Sequence, residues 1–327
     1  MKISVLGSGG WGVALAMLCC DCGHDVVIWG KFQSEIDYIN QNRETPLLKG
    51  VKIPESIIAT TDTAEIRKSD IIIIATPSFA VRENAIMLRE RGLHGHAFIV
   101  SVSKGFEKDT LKRFSQVISE ELPDNEAVVL SGPSHAEEVA RRKPTLVTVA
   151  CKNSVTARVV QNAMMNENFR IYTNDDMIGV ETGAALKNVI AMAAGVCKGL
   201  GLGDNTIAAL ITRGIHEISK LGVEMGAKAT TFAGLSGLGD LIVTCTSDHS
   251  RNRLFGEYLG SGLSVDEALA KVGKTVESYY AAATAKALAD KYNVQMPIIS
   301  ECYDILYCGA DIKSAPARLM NRLGKSE

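Results

Sequence analysis

The feature that most constrains this chain is the succession of a strand-like run, a glycine loop and a helix-like run at its start. Lys2-Ile3-Ser4-Val5-Leu6 reads as a buried strand, Gly7-Ser8-Gly9-Gly10-Trp11-Gly12 supplies G-x-G-x-x-G, and residues 13–22 continue as an apolar helix. Each glycine has a mechanical role in that context. Gly7 permits the tight turn, Gly9 lets a pyrophosphate approach the backbone, and Gly12 lets the helix pack on the strand while its N-terminus faces the phosphates. Alone, the pattern reads equally as a bland turn. Between a strand and a helix, and followed by a second strand Asp25-Val26-Val27-Ile28-Trp29, it indicates a dinucleotide site.

The end of that second strand bears on the cofactor. A site built for NAD usually places Asp or Glu there, about 20 residues past the glycines, to hold the ribose 2′-hydroxyl. Here the chain reads Trp29-Gly30-Lys31-Phe32. The acid is missing and a cation is present, which suits a 2′-phosphate, so NADPH is favoured and NADH remains open. The competing reading of Lys31 is a solvated loop charge.

The pattern continues through the N-terminal half. An amphipathic stretch at 34–42, a loop with Pro46 and Pro54, a short strand at 57–60 and an Asp62-capped helix to Lys68 precede Ile71-Ile72-Ile73-Ile74-Ala75. That unbroken apolar run is of the parallel, doubly covered kind. Thr76-Pro77-Ser78 breaks it and launches a helix. Strands are predicted at 97–101, 127–131, 145–150 and 169–173, with a helix at 154–165. Ligands in open α/β sheets bind beyond the carboxyl ends of the strands, so the loops at Thr76-Pro77-Ser78, Ser103-Lys104-Gly105 and Gly132-Pro133-Ser134 are candidates for the cofactor site.

From about Met177 helical spacing takes over, with helices predicted at 183–196, 206–222, 265–271, 278–292 and 298–306. The expected fold is α/β: an N-terminal Rossmann-like doubly wound sheet, residues 1–178, followed by an all-α domain, residues 179–327, with Gly324 onward prone to fray. A chain of 327 residues suits two domains.

Thirty-five basic against 37 acidic residues leave a formal charge of -2, which gives no electrostatic footprint for nucleic acid or membrane; small anionic ligands fit. Met1 leads directly into the first strand, leaving no room for a signal peptide, and no apolar run approaches the about 20 residues of a membrane span. The expected location is the cytoplasm. Of the eight cysteines, Cys19 and Cys22 form a CxxC beside Cys20. No second pair or nearby histidine completes a zinc set, so no metal is expected and the cysteines read as small buried residues.

Hydride transfer needs a proton donor or acceptor beside the carbonyl carbon, and Lys187 is the best candidate. It interrupts the apolar helix Ala184-Ala185-Leu186-Lys187-Asn188-Val189-Ile190-Ala191. Burial without an anion would push its pKa toward neutrality, where general acid/base catalysis works best. On pattern alone it reads equally as a lysine reaching solvent from a helix edge. Asp240, among apolar residues in Gly237-Leu238-Gly239-Asp240-Leu241, needs a partner if buried and so is suited to orient a lysine or a substrate hydroxyl. Ser250, Arg251 and Asn252 are a donor-rich set for phosphate oxygens, though as residues alone they read first as a solvated loop.

With these segments together the chain resembles the bacterial-type NAD(P)-dependent glycerol-3-phosphate dehydrogenases. The matching stretches are 7–12, Ser103-Lys104-Gly105, Ser131-Gly132-Pro133-Ser134, 185–188, 205–214, 237–241, Ser250-Arg251-Asn252 and Val276-Glu277. The resemblance implies that Lys187 accepts the proton in glycerol-3-phosphate oxidation and donates it in dihydroxyacetone phosphate reduction. It implies substrate contacts from Lys104, Gly132, Ser134, Asp240, Ser250, Arg251 and Asn252, and cofactor contacts from Gly10, Trp11, Lys31, Lys104, Ala136, Arg251, Thr275 and Glu277. Gly10 departs from the family, which commonly has serine there. The product would feed phospholipid synthesis, and a homodimer is left open. Two other readings compete: a β-hydroxyacid dehydrogenase sharing the helix-borne lysine, and a non-catalytic NADPH-binding sensor.

Overall fold

The isoleucine run is the fourth strand of a sheet covered on both faces. In the computed structural model, which describes residues 1–93 and 95–324, the strands are β1 (Lys2–Leu6), β2 (Asp25–Trp29), β3 (Ile58–Thr60), β4 (Ile71–Ile74), β5 (Phe98–Ser101), β6 (Ala127–Ser131), β7 (Thr145–Ala150) and β8 (Phe169–Asn174). Successive side chains of a strand point to opposite faces. Ile71 and Ile73 therefore join Ile3, Val5 and Val13 on one side, while Ile72 and Ile74 join Val81, Ala85, Phe114 and Ile118 on the other. With both faces buried, an apolar/polar alternation would leave polar groups without water, and the run is unbroken.

The strand order is β3-β2-β1-β4-β5-β6-β7-β8. Winding proceeds outward from β1 in both directions, so the reversal of order falls between β1 and β4. Six neighbouring pairs are parallel. β6 and β7 run antiparallel, in the register Leu130↔Val149, so the doubly wound plan holds through β6 and is extended beyond it by a reversed pair.

Several local expectations are corrected. The first helix spans Gly10–Asp21 and has Gly9 as its N-cap, so the second half of the glycine motif is the helix's first turn. The low helix propensity of glycine is overridden there by packing. After Asp62 there is a single 3-10 turn, Thr63–Glu65, with the Asp62 side chain accepting from the Ala64 amide. Helices Phe114–Glu121 and Ala136–Val139 were not anticipated; each is too short to carry a clear period.

Contacts divide the chain into Met1–Glu181 and Thr182–Glu327. The second unit is helical: helix Met177–Gly199 runs into it, followed by Asp204–Glu224, Ala229–Phe232, Asp240–Thr246, Arg251–Gly260, Val265–Val272, Glu277–Lys291, Pro297–Tyr307 and Ala315–Met320. A π-helical turn, Leu235–Gly239, leads into Asp240–Thr246. Helices Met177–Gly199 and Arg251–Gly260 touch backbone to backbone: a Cβ on Gly256 would lie 1.9 Å from the Met192 carbonyl oxygen. The fraying expected from Gly324 onward falls mostly on residues 325–327, which lie outside the described residues.

Two more corrections concern burial. Helix Met177–Gly199, at 23 residues, is long and apolar enough to cross a membrane, against the expectation; 94% of its most apolar window is buried in the protein, as in a core helix. Among the cysteines Cys19, Cys151, Cys245 and Cys302 are buried, but Cys20, Cys22 and Cys197 are half-buried and Cys308 is exposed. All eight are free thiols. Burial, with a smaller push from the neighbouring Cys22 and Cys20, raises the pKa of Cys19, so the CxxC thiol that packs inward is held protonated.

Candidate active site

In the first unit the proposed cofactor residues lie beyond the carboxyl ends of parallel strands. Gly7 follows β1 with φ +126°, and its amide donates to the Trp29 carbonyl at 2.8 Å, tying the loop to the end of β2. A Cβ on Gly12 would sit 2.0 Å from the Gly7 carbonyl oxygen, so only glycine lets the helix start this close to the strand. A Cβ on Gly9, by contrast, would meet nothing within 4 Å. The helix Gly10–Asp21 has no side-chain cap on its N-terminus. Open space before uncapped amides is what a pyrophosphate needs, so this cradle fits a dinucleotide. Gly10 departs from the family serine at a position with room, since a Cβ there would make only ordinary contact, 3.5 Å from Leu47. Trp11 is half-buried against the core beneath.

The loops after β5 and β6 converge on one carbonyl. Lys104 Nζ donates to the Gly132 oxygen at 3.3 Å, and Ser134 Oγ donates to the same oxygen at 3.0 Å. Ala136 opens the short helix that follows. Lys31, just past β2, is exposed, with its Nζ 2.7 Å from Glu83 Oε1.

In the second unit Lys187 is 5% exposed and Asp240 is 1% exposed. Lys187 Nζ lies 2.8 Å from Asp240 Oδ1 and donates to Thr244 Oγ1 at 2.6 Å; the Thr244 hydroxyl in turn donates to the Asp240 carbonyl at 2.6 Å. Lys187 is therefore not a lysine reaching solvent, and the premise of burial without an anion is corrected: the anion is Asp240. Thr244 is a site residue that the sequence alone did not single out. The signal that finds it is its position four residues after Asp240, which puts both on one face of a helix. Cys245 beside them is held as a neutral thiol, its pKa pushed up to about 12 by burial, which outweighs the opposing pull of Lys187.

Ser250, Arg251 and Asn252 form a helix start where the residues alone read as loop. Ser250 is the N-cap, its buried hydroxyl accepting from the Arg253 amide at 3.2 Å, which leaves its O–H free to donate. Asn252 Nδ2 donates to Asn188 Oδ1 at 3.0 Å, and Asn252 Oδ1 accepts from the Ser278 amide at 2.9 Å. One amide thus fastens the residue after Lys187 to the first turn of helix Glu277–Lys291, which begins at Glu277, with Thr275 just before its N-cap Val276. Residues two apart on a helix do not share a face. Accordingly Arg253 turns inward to the Ser247 carbonyl, Asp248 and Glu257, while Arg251 is exposed.

A cavity of about 810 Å³ in the same unit is lined by Met192, Leu210, Glu217, Ile298, Cys302 and Leu319 among others, and it contains none of these site residues. Volume does not identify the chemistry here. Glu217 has its pKa raised to about 7 by burial, although the Ile298 and Ile299 amides donate to its carboxylate.

Comparison with known proteins gives one answer across the chain. Residues 2–157 match the family model described as NAD-dependent glycerol-3-phosphate dehydrogenase N-terminus, and residues 176–317 match the corresponding C-terminus. The glycerol-3-phosphate dehydrogenase [NAD(P)+] of Bacillus pumilus is 50% identical over all of this chain and 96% of its own length. That of Agathobacter rectalis is 48% identical over all of this chain and 97% of its own. The crystal structure of glycerol-3-phosphate dehydrogenase from Coxiella burnetii superposes with a TM-score of 0.94 at 36% identity, covering 98% of this chain and 99% of that one.

Proposed function

This chain belongs to the NAD-dependent glycerol-3-phosphate dehydrogenase family, and from that membership we propose that it interconverts dihydroxyacetone phosphate and sn-glycerol 3-phosphate, using NADPH or NADH. The observation that carries the reading is the buried Lys187–Asp240 pair. A positioned ammonium group is the proton donor that reduction of a ketone requires.

The nicotinamide supplies the hydride; the chain's own residues supply the proton, the charge and the alignment. Lys187 donates its proton to the oxygen that becomes alkoxide and recovers it in the reverse direction. Asp240 and Thr244 hold its Nζ in place and compensate its charge while it is buried. Arg251 presents an exposed guanidinium fork to the substrate phosphate, next to the Ser250 hydroxyl, while Asn252 fixes the helix that carries both. Phosphate binding remote from the reacting carbon fixes orientation there. Lys104, Gly132 and Ser134 complete the substrate contacts in this reading. Gly7, Gly9, Gly10, Trp11, Gly12, Lys31, Ala136, Thr275 and Glu277 complete the cofactor contacts. Residues 1–178 would form the dinucleotide-binding domain and 179–327 the helical substrate and catalytic domain, each lending a few contacts to the other ligand. A cytoplasmic homodimer supplying glycerophospholipid synthesis belongs to the same proposal.

The test is spectrophotometric. Absorbance of NADPH and of NADH is followed with dihydroxyacetone phosphate, and both are expected to fall. Turnover of a hydroxy acid lacking phosphate in its place would transfer the chain to the β-hydroxyacid reading. Tight cofactor binding with no turnover would make it a sensor.

A further inference from the structure

The acid that is missing from the end of β2 is supplied in space by a residue further along the chain. Gly30 occupies the strand-end position, where a Cβ would lie 2.8 Å from Ser8 Oγ and 2.9 Å from Ile36 Cδ1, so a side chain there would have to displace those two side-chain ends. What fills that neighbourhood instead is Glu35, from the first turn of helix Gln33–Asn42. Its Oε2 accepts the hydroxyl of Ser8, the first variable residue of the glycine loop. Ser8 is buried, so the bond fixes a carboxylate oxygen against the loop that follows β1. The cation expected to serve a 2′-phosphate is engaged elsewhere, Lys31 being paired with Glu83. At this rim the side chains Lys31, Glu35 and Glu83 thus comprise one cation and two carboxylates.

We propose that Glu35 is a specificity-determining residue for the cofactor: its carboxylate accepts a hydrogen bond from the adenosine ribose 2′-hydroxyl of NADH and repels the 2′-phosphate of NADPH. Lys31 then sets how far the phosphate is still admitted, because accepting it means leaving Glu83. A carboxylate is an acceptor only, so it gains from a hydroxyl and loses from a phosphate at the same place. The inference rests on the reading that the dinucleotide lies along the 7–12 loop.

The test is direct binding, read from the fluorescence of NADH and of NADPH titrated with the full chain, with no substrate present. Glu35→Gln keeps the shape and a partner for Ser8 but removes the charge. It is expected to weaken NADH and tighten NADPH, moving the ratio of the two Kd values by about tenfold, the scale of one hydrogen bond to a charged group. Ser8→Ala, which keeps the carboxylate and removes its anchor, is expected to move the ratio in the same direction by less. A wild type that binds both cofactors, with an unchanged ratio in Glu35→Gln, overturns the role of Glu35 alone. A wild type that binds neither overturns the placement of the dinucleotide and this inference with it.

Discussion

Lys187 and Asp240 face each other across two helices at 2.8 Å, and both side chains are almost wholly removed from water. A buried pair of this kind is worth little as a source of stability, but removing one member strands the other charge, at a cost of about 3–5 kcal/mol. Function and stability are therefore separable at this site. Lys187→Ala is expected to lower kcat by about 10² or more, the scale of general acid catalysis, with the Kd for NADPH nearly unchanged. In urea denaturation Asp240→Leu alone should lose several kcal/mol, and the Lys187→Met/Asp240→Leu double variant should recover most of that loss. Near wild-type kcat in Lys187→Ala would remove the residue from the mechanism.

Lys31 is exposed and its ion pair with Glu83 is solvated, so its influence on the cofactor is screened. Lys31→Glu is expected to shift the NADPH-to-NADH ratio of kcat/KM toward NADH by about 1 kcal/mol, at the lower end for introduced like-charge repulsion. The shift should shrink in high salt. A ratio that stays put would leave Lys31 as a surface charge.

Arg251 has its guanidinium in solvent on the first turn of helix Arg251–Gly260, whereas Arg253 is locked into the fold. Lysine preserves charge at that position but not the planar fork. Arg251→Lys should raise KM for dihydroxyacetone phosphate by about tenfold and discriminate less against dihydroxyacetone, with the fold intact. If KM for NADPH rises instead, the cofactor is its partner. Arg253→Lys should lower the urea midpoint instead, since it removes bonds that the buried side chain makes.

Glu217 gives the fold a pH dependence whose sign follows from its raised pKa. Burial takes it from 4.5 to about 7, so the folded protein binds that proton more tightly than the unfolded chain. Its contribution is fully present below about pH 4.5 and is lost as pH rises through about 7. The difference amounts to about 3 kcal/mol at most. Urea midpoints measured from pH 5 to pH 8 should fall for the wild type more than for Glu217→Gln, which accepts from the Ile298 amide without titrating. Parallel curves for the two proteins would assign the pH dependence to other groups.

Legibility from the sequence followed the range of the physics involved. The strand, loop and helix at the N-terminus were readable because a glycine turn and an apolar period are local. β1 and β2 begin and end where residue types place them. Boundaries failed where packing overrode propensity, as at Gly10-Trp11-Gly12, where two glycines were recruited into a helix. The start of helix Arg251–Gly260 was hidden for another reason. Its cap is a single serine, and its first turn carries two arginines and an asparagine, which resemble a polar loop until Arg253 is seen to turn inward.

The sequence by itself determined the sheet's doubly covered strands, the glycine loop between β1 and the first helix, and Lys187 as a cation in an apolar helix, since each is encoded by neighbours within a few positions. Only the tertiary structure decided which anion meets that cation, that Asn252 reaches Asn188 across 64 residues, and that Glu35 stands against Ser8 across 27. Periodicity states which face of an element turns inward. It does not state which side chain from a distant element arrives on that face, because that depends on how helices and strands close on one another, down to a glycine that lets two backbones touch.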